Sequence, residues 1–201
     1  FLVTGSAGFI GFLLLGTIDH ETPLWHVMIF IAIVGLGGVG VACLLTAVAS
    51  GVQEIIAVDM SEEKRELALS YGAHAAYSPE EMAERGIKTT HAVECAGHPA
   101  AFTTAFNATS PGGRTVTAGL PSPEQTAEIS PLTITGEART IIGSYLGTSV
   151  PARDIPRYEQ MWREGRLPVE KLVSATMRLD DINEAMDQLA DGRAVRQIIE
   201  Y

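Results

Sequence analysis

A chain of 201 residues is long enough for one good-sized domain with a short appendage, and its 46% apolar and 19% charged residues fit a folded core rather than a disordered chain. Acidic residues outnumber basic ones 24 to 14, for a formal net charge of -10 with no run of Lys and Arg. That balance excludes nucleic acid and anionic membrane as partners, because both call for a basic face.

Residues 1–34 carry two charges, Asp19 and Glu21. No basic residues precede the apolar run, as they would in a signal peptide, and Ala7 to Ile18 is too short to span a bilayer. The segment reads as a buried βα unit, and an opening residue other than Met suggests a piece of something longer. Met28 to Val34 is a continuous apolar, β-branched run ending in glycines, as a buried parallel strand does. An apolar helix is expected over Gly40 to Ser50. A second strand, Glu54 to Met60, carries Asp59 near its end. A charged helix follows over Ser61 to Tyr71, with Ser61 as N-cap and Gly72 as its stop. His74 to Ser78 reads as a third strand and Thr90 to Cys95 as a fourth, followed by a helix over Pro99 to Ala108. Pro111-Gly112-Gly113 reads as a turn. Arg114 to Leu120 and Arg139 to Leu146 supply the fifth and sixth strands. Helices over Asp154 to Glu164 and Asp181 to Leu189, the latter capped by Asp180, and a final strand over Val195 to Ile199 complete the chain. Alternating strands and helices imply an α/β fold, a parallel sheet covered on both faces. The two cysteines, Cys43 and Cys95, each lie in an apolar stretch and read as buried, reduced thiols, which suits a cytoplasmic protein.

Gly35-Leu36-Gly37-Gly38-Val39-Gly40 matches G-x-G-x-x-G between a strand and a helix, the context the motif needs. The first glycine permits the tight turn, the second lets backbone approach a pyrophosphate, and the third lets helix and strand pack. The N–H groups and dipole of the helix start then favour phosphate. A glycine turn alone is weak evidence, and a ligand-free turn is its bland alternative. Asp59 decides the matter, because it ends the next strand at about the 20-residue spacing of the carboxylate that holds the adenosine ribose. A carboxylate there repels the 2′-phosphate of NADP, and neither residue 59 nor residue 60 is an arginine. The expected cofactor is NAD.

The stretch GLGGVG…AVDMSEEKRELALSYGA resembles the coenzyme domain of zinc-type, medium-chain alcohol dehydrogenases. The resemblance continues through ECAGHPAAF, GGRTVTAGLP, GSYLG, REGRLPVEKLV and LDDINEAMDQLADGRAVRQII, over about residues 29 to 199. It implies a Rossmann-type, doubly wound parallel six-stranded sheet with helices on both faces, an NAD-binding domain over 28–201 and a βα appendage or linker over 1–27. It also implies roles. Gly35, Gly37, Gly38, Val39 and Gly40 would form the pyrophosphate turn, with N–H groups of Gly38 and Val39 on the phosphates. Asp59 and Lys64 would hold the ribose, beside Met60. Cys95, Ala96 and Gly97 would lie along the cofactor, Ala118, Gly119 and Leu120 near the nicotinamide, and Arg196 at the pyrophosphate. Lys64 and Arg196 read without the resemblance as ordinary solvated residues. The edge strand 139–146 would pair with its symmetry mate in a homodimer.

In the resembled family a catalytic zinc polarises the substrate oxygen, and its ligands lie mostly in a preceding domain. No such ligand set is legible here. His20-Glu21 superficially matches a G-H-E motif, but Asp19 precedes it, and His26, His74, His91 and His98 stand alone. The chain is therefore expected to bind NAD(H) without a metal of its own and without oxidising an alcohol unaided, as the coenzyme half of an alcohol or aldehyde oxidoreductase. A non-catalytic NAD(H)-binding module shares every residue cited. A third reading starts from Thr4-Gly5-Ser6-Ala7-Gly8-Phe9-Ile10-Gly11, which resembles the opening of an extended short-chain dehydrogenase or epimerase. That family's Tyr-x-x-x-Lys pair is missing, since the residues four after Tyr71, Tyr77, Tyr145 and Tyr158 are Ala75, Glu81, Ser149 and Trp162.

Overall fold

The computed structural model describes residues 30–145 and 149–200. The amino-terminal glycine turn, the appendage over 1–27 and the expected end of the sixth strand at Leu146 fall outside them. The apolar β-branched run forms β1, Phe30–Val34, buried from Ile31 onward. It is flanked on one side by β2, Glu54–Val58, and β3, Ala75–Tyr77. On the other side lie β4, Thr89–Glu94, β5, Thr109–Thr117, and β6, Thr140–Gly143. The strand order is β3-β2-β1-β4-β5-β6, with every pair parallel. The order reverses between β1 and β4, and in such sheets the carboxyl ends of the strands at the reversal frame a crevice. This is the Rossmann-type doubly wound sheet that the sequence implies.

Strand residues point alternately to the two faces, and each face has its own core. Ile31 and Ile33 pack with Cys43, Leu44 and Ala47 of helix α1, Gly38–Ala49. Ala32 and Val34 face the other way. They pack with Met82 of α3, Pro79–Glu84, and Ala105 and Ala108 of α4, Pro99–Ala108. Helix α2, Glu62–Ser70, connects β2 to β3 and is capped as expected by Ser61, whose hydroxyl accepts from the Lys64 N–H. Helix α1 is apolar all round because it is covered twice. Its outer residues Val41, Ala42 and Leu45 meet Met161 of α6, Pro151–Arg163, together with Leu167 and Leu172. A fully buried leucine there contributes about 2 kcal/mol.

Several local expectations are corrected. Pro111-Gly112-Gly113 does not separate two elements but lies inside β5 as a bulge: Thr89 pairs with Thr109 and His91 with Arg114, so two steps along β4 face five along β5. The final strand, β8, Gln197–Glu200, does not join the main sheet. It pairs in parallel with β7, Ala175–Arg178, which the pattern did not announce. Helices α3 and α5, Pro131–Gly136, are also additional, and α6 begins at Pro151 rather than Asp154. Asp181, not Asp180, precedes helix α7, Ile182–Ala190.

The edge strand is fastened by one buried cation. Arg139 follows Ala138, whose φ is 52°, and donates to the Phe106 carbonyl in the last turn of α4. There the helix dipole favours a positive charge. Its guanidinium also pairs with Glu137 at 2.5 Å and lies 5.0 Å from the centre of the Phe106 ring. Arg139→Met keeps the bulk but leaves the carbonyl and Glu137 without their donor. It should lower stability by about 2 kcal/mol, read as a lower urea midpoint at unchanged slope.

Candidate cofactor cleft

The glycine loop leaves β1 at the crossover. Gly35 has φ 91°, a conformation that favours glycine, and a Cβ there would stand 2.7 Å from the Ala96 Cβ. Gly40 is tighter, since its Cβ would overlap the Gly35 carbonyl oxygen. Gly37 is the opposite case: a Cβ there would meet nothing within 4 Å, and the residue is exposed as the N-cap of α1. No side chain caps this helix. Its start therefore presents backbone N–H groups to an open space, the arrangement that takes an anion.

Asp59 stands across that space at the end of β2. One carboxylate oxygen accepts from the Leu36 N–H at 2.7 Å and the other from the Ser61 N–H at 2.9 Å. The acid thus ties the glycine loop to the β2 exit. Arg65 braces the same exit, donating from one guanidinium nitrogen to the Asp59 carbonyl at 2.8 Å and the Met60 carbonyl at 2.9 Å. Met60 itself is 83% exposed. The carboxyl-terminal segment closes this side. The Val195 carbonyl lies 3.2 Å from where a Gly38 Cβ would be, and Lys64 Nζ lies 3.4 Å from where a Gly192 Cβ would be. Arg196 follows, its backbone bonded to Ser174. The expected anion-binding and ribose residues are therefore neighbours.

On the other side of the crossover the ends of β4 and β5 meet. Gly97, with φ 71°, would drive a Cβ to 2.7 Å from the Leu120 carbonyl oxygen, and a Gly119 Cβ would overlap the Gly97 amide. Ala96 and Leu120 are exposed at this rim. Ala118 is half-buried and packs on the core. Cys95 is placed differently from a cleft-facing residue: it is buried in the α1-side core, and its N–H donates to the Val34 carbonyl. Cys43 and Cys95 are both free and buried, and burial, with Cys95 alongside, pushes the Cys43 thiol well above its ordinary range.

Glu94 is the site residue that the sequence reading passed over. The acid is 1% exposed, accepts from Ala96 and Gly97 N–H groups at 2.7 and 2.6 Å, and takes the Thr117 hydroxyl at 3.0 Å. It forms part of the floor of a cleft with His98, Phe102, Thr117, Pro121 and Gln125, about 310 Å³ of space including its open mouth. The available signal was an acid closing an apolar strand directly before a small-residue turn.

Among the described residues no group of three or more His, Cys, Asp or Glu could hold a metal ion. Each histidine there has a local use: His74 accepts from the Ile55 N–H, His91 bonds to the Thr90 hydroxyl, and His98 accepts from the Ala100 N–H at the start of α4.

The two glycine environments separate stability from ligand binding. Gly40→Ala must displace the Gly35 carbonyl and should cost about 3 kcal/mol or more. Gly37→Val places its side chain in open space and should cost no more than about 1 kcal/mol. Thermal unfolding of both variants checks the contrast, and an equal loss in each would show that the loop is held differently.

Comparison with known proteins bears on the family and the fold. The family model described as "Zinc-binding dehydrogenase" matches residues 38–164. Alcohol dehydrogenase 1 of Pisum sativum is 33% identical over 181 residues, 84% of this chain and 47% of that protein. Geraniol dehydrogenase of Castellaniella defragrans is 31% identical over 179 residues, 85% of this chain and 48% of that one. A crystal structure of an alcohol dehydrogenase zinc-binding domain protein from Burkholderia ambifaria superposes with TM-score 0.84 at 27% identity, covering 98% of this chain and 52% of its own. The chain spans about half the length of the curated relatives it matches. On the family match and these relatives, the chain belongs to the zinc-binding dehydrogenase family.

Proposed function

We propose that this chain is the NAD(H)-binding half of an alcohol dehydrogenase-like oxidoreductase, which in the whole enzyme passes a hydride between an alcohol or aldehyde and the nicotinamide. The observation that carries the reading is the juxtaposition at the crossover. An uncapped helix start with an open face at Gly37 lies opposite a carboxylate, Asp59, already bonded to the same loop. A dinucleotide laid across that crossover meets donors for its pyrophosphate and an acceptor for its ribose diol.

In this reading Gly35, Gly37 and Gly40 shape the turn, and Gly38 and Val39 offer N–H groups to the pyrophosphate. Asp59 accepts from the ribose, flanked by Met60 and Lys64, and Arg196 adds a cation. Cys95, Ala96 and Gly97 contribute backbone and small side chains along the cofactor, and Ala118, Gly119 and Leu120 support the nicotinamide end. The chain's own contribution is to bind and orient the hydride carrier, since holding the acceptor at near-attack distance removes the entropic part of the barrier. The residues that hold the alcohol belong to the rest of the enzyme. The two free, buried cysteines suit a cytoplasmic setting.

NADH should bind the purified chain, and NADPH should bind at least tenfold more weakly, because Asp59 repels a 2′-phosphate. Asp59→Ala should weaken NADH at least tenfold and narrow the gap between the two. NADPH should not gain fully, since the Leu36 and Ser61 N–H groups lose their acceptor as well. Gly37→Val should abolish binding in a chain that stays folded. Nicotinamide fluorescence measures all three. Equal affinities for the two cofactors would remove the role given to Asp59, and no binding of either would remove the cofactor reading.

We also propose a homodimer formed along β6. This strand ends the sheet, and Tyr145, two residues beyond it, is 70% accessible. Pairing two such edges by a twofold axis would continue the sheet and cover both. Light scattering at micromolar concentration should give twice the chain mass, and a monomer mass would count against the pairing.

A further inference from the structure

Residue 94 receives hydrogen bonds from both turns that line the second half of the cleft. Its carboxylate takes the Ala96 and Gly97 N–H groups, at 2.7 and 2.6 Å, and the Thr117 hydroxyl, at 3.0 Å. Its carbonyl takes the Ala118 and Gly119 N–H groups, at 2.8 and 3.2 Å. Four of these donors lie just after β4 or β5, in the turns themselves, and a Gly119 Cβ would press to 2.9 Å from the carboxylate oxygen that takes the Ala96 and Gly97 N–H groups. Glu94 and Thr117 are register partners across the two strands. The side chain is long enough to serve its own turn and reach the neighbouring strand together. An acid buried this deeply must satisfy its oxygens within the protein, and here it does so by gathering donors from both strands. Charge-assisted bonds of this kind are about twice as strong as neutral ones.

We propose that Glu94 is a positioning residue that sets the platform for the nicotinamide half of the cofactor, by clamping the β4 and β5 turns against each other. The proposal rests on the cofactor reading above. With Asp59 at the β2 end marking the adenosine side, a dinucleotide crossing the reversal has its other half over the ends of β4 and β5. Loosening the clamp therefore affects one half of the ligand. Glu94→Gln keeps the volume and lets its carbonyl oxygen accept from both amides. It removes the charge and turns a donor towards Thr117, whose hydroxyl must then reverse.

The test compares two ligands on the full chain. ADP, measured by calorimetry, reports the β1–β2 side, and NADH, measured by fluorescence, reports both. Glu94→Gln should weaken NADH at least tenfold and leave ADP within twofold. Thr117→Val, which removes a single donor, should weaken NADH about threefold with ADP unchanged. Unchanged NADH affinity in Glu94→Gln overturns the proposal. An equal loss of NADH and ADP overturns it too, because that is what general destabilisation would give. Should Glu94→Gln prove unfolded by circular dichroism, Thr117→Val decides alone, and an unaltered NADH-to-ADP ratio in it overturns the proposal. A wild-type chain that binds neither ligand overturns the cofactor reading itself, a result distinct from all of these.

Discussion

Everything at the top of this sheet depends on how closely three strand ends approach one another. The backbones leaving β1, β4 and β5 pack so closely that the glycines among them have no room for a Cβ. Gly35 lies against Ala96, Gly97 against Leu120, and Gly119 against Gly97. Interiors are packed to crystal-like density, so one added methyl group at such a contact must push backbone aside. The close approach has a chemical consequence. It brings peptide N–H and C=O groups close to the rim of the crevice, beside the exposed Ala96 and Leu120. A flat, polyanionic ligand can lie directly on such a rim, within reach of several donors.

Two carboxylates hold this arrangement, one on each side of the crossover. Asp59 receives the Leu36 and Ser61 N–H groups and binds the glycine loop to β2. Glu94 binds the β4 turn to the end of β5. Both accept mainly from backbone N–H groups that no ladder or helix bond occupies. They differ in surroundings. Asp59 is half-buried beside the open helix start, where a ligand hydroxyl can still approach it. Glu94 is enclosed, and its oxygens are spent on the fold. The same functional group is thus left open on one side of the crossover and enclosed on the other, and access sets what each can do.

The parts of this fold legible in the sequence are those whose physics is local or periodic. Strands buried on both faces must be apolar throughout, so β1 stands out as a run closed by glycines, and the spacing from Gly35 to Asp59 follows from one βαβ unit. Ser61 announces the start of α2 because a hydroxyl before acidic residues satisfies free N–H groups. Elements with no such signature stayed hidden. β7 is four residues, mostly exposed, and forms only against β8, about 20 positions away. Pro111-Gly112-Gly113 carries genuine turn chemistry, yet β4 continues beside it and resumes pairing at Arg114, so the irregularity becomes a bulge. Glu94 could be seen as an acid at a strand end, but five donors converging on one residue is a fact of three dimensions.

Charge makes the last step of the argument. A chain with a net charge of -10 repels a dinucleotide at long range. At physiological ionic strength exposed charges are screened over about 8 Å, so the groups nearest the ligand outweigh the total. At the proposed cleft those groups would be the amino-terminal end of α1 and the segment around Val195 that leads into Arg196, with Lys64 nearby. The acidic helix residues Glu62 and Glu63 lie on the exposed side of α2. Its Lys64 and Arg65 are half-buried towards the cleft and the β2 exit. An acidic surface and the proposed anion-accepting crevice are therefore compatible, because the field that a phosphate would feel there is set by the few oriented N–H groups and side-chain charges within one screening length, Asp59 among them.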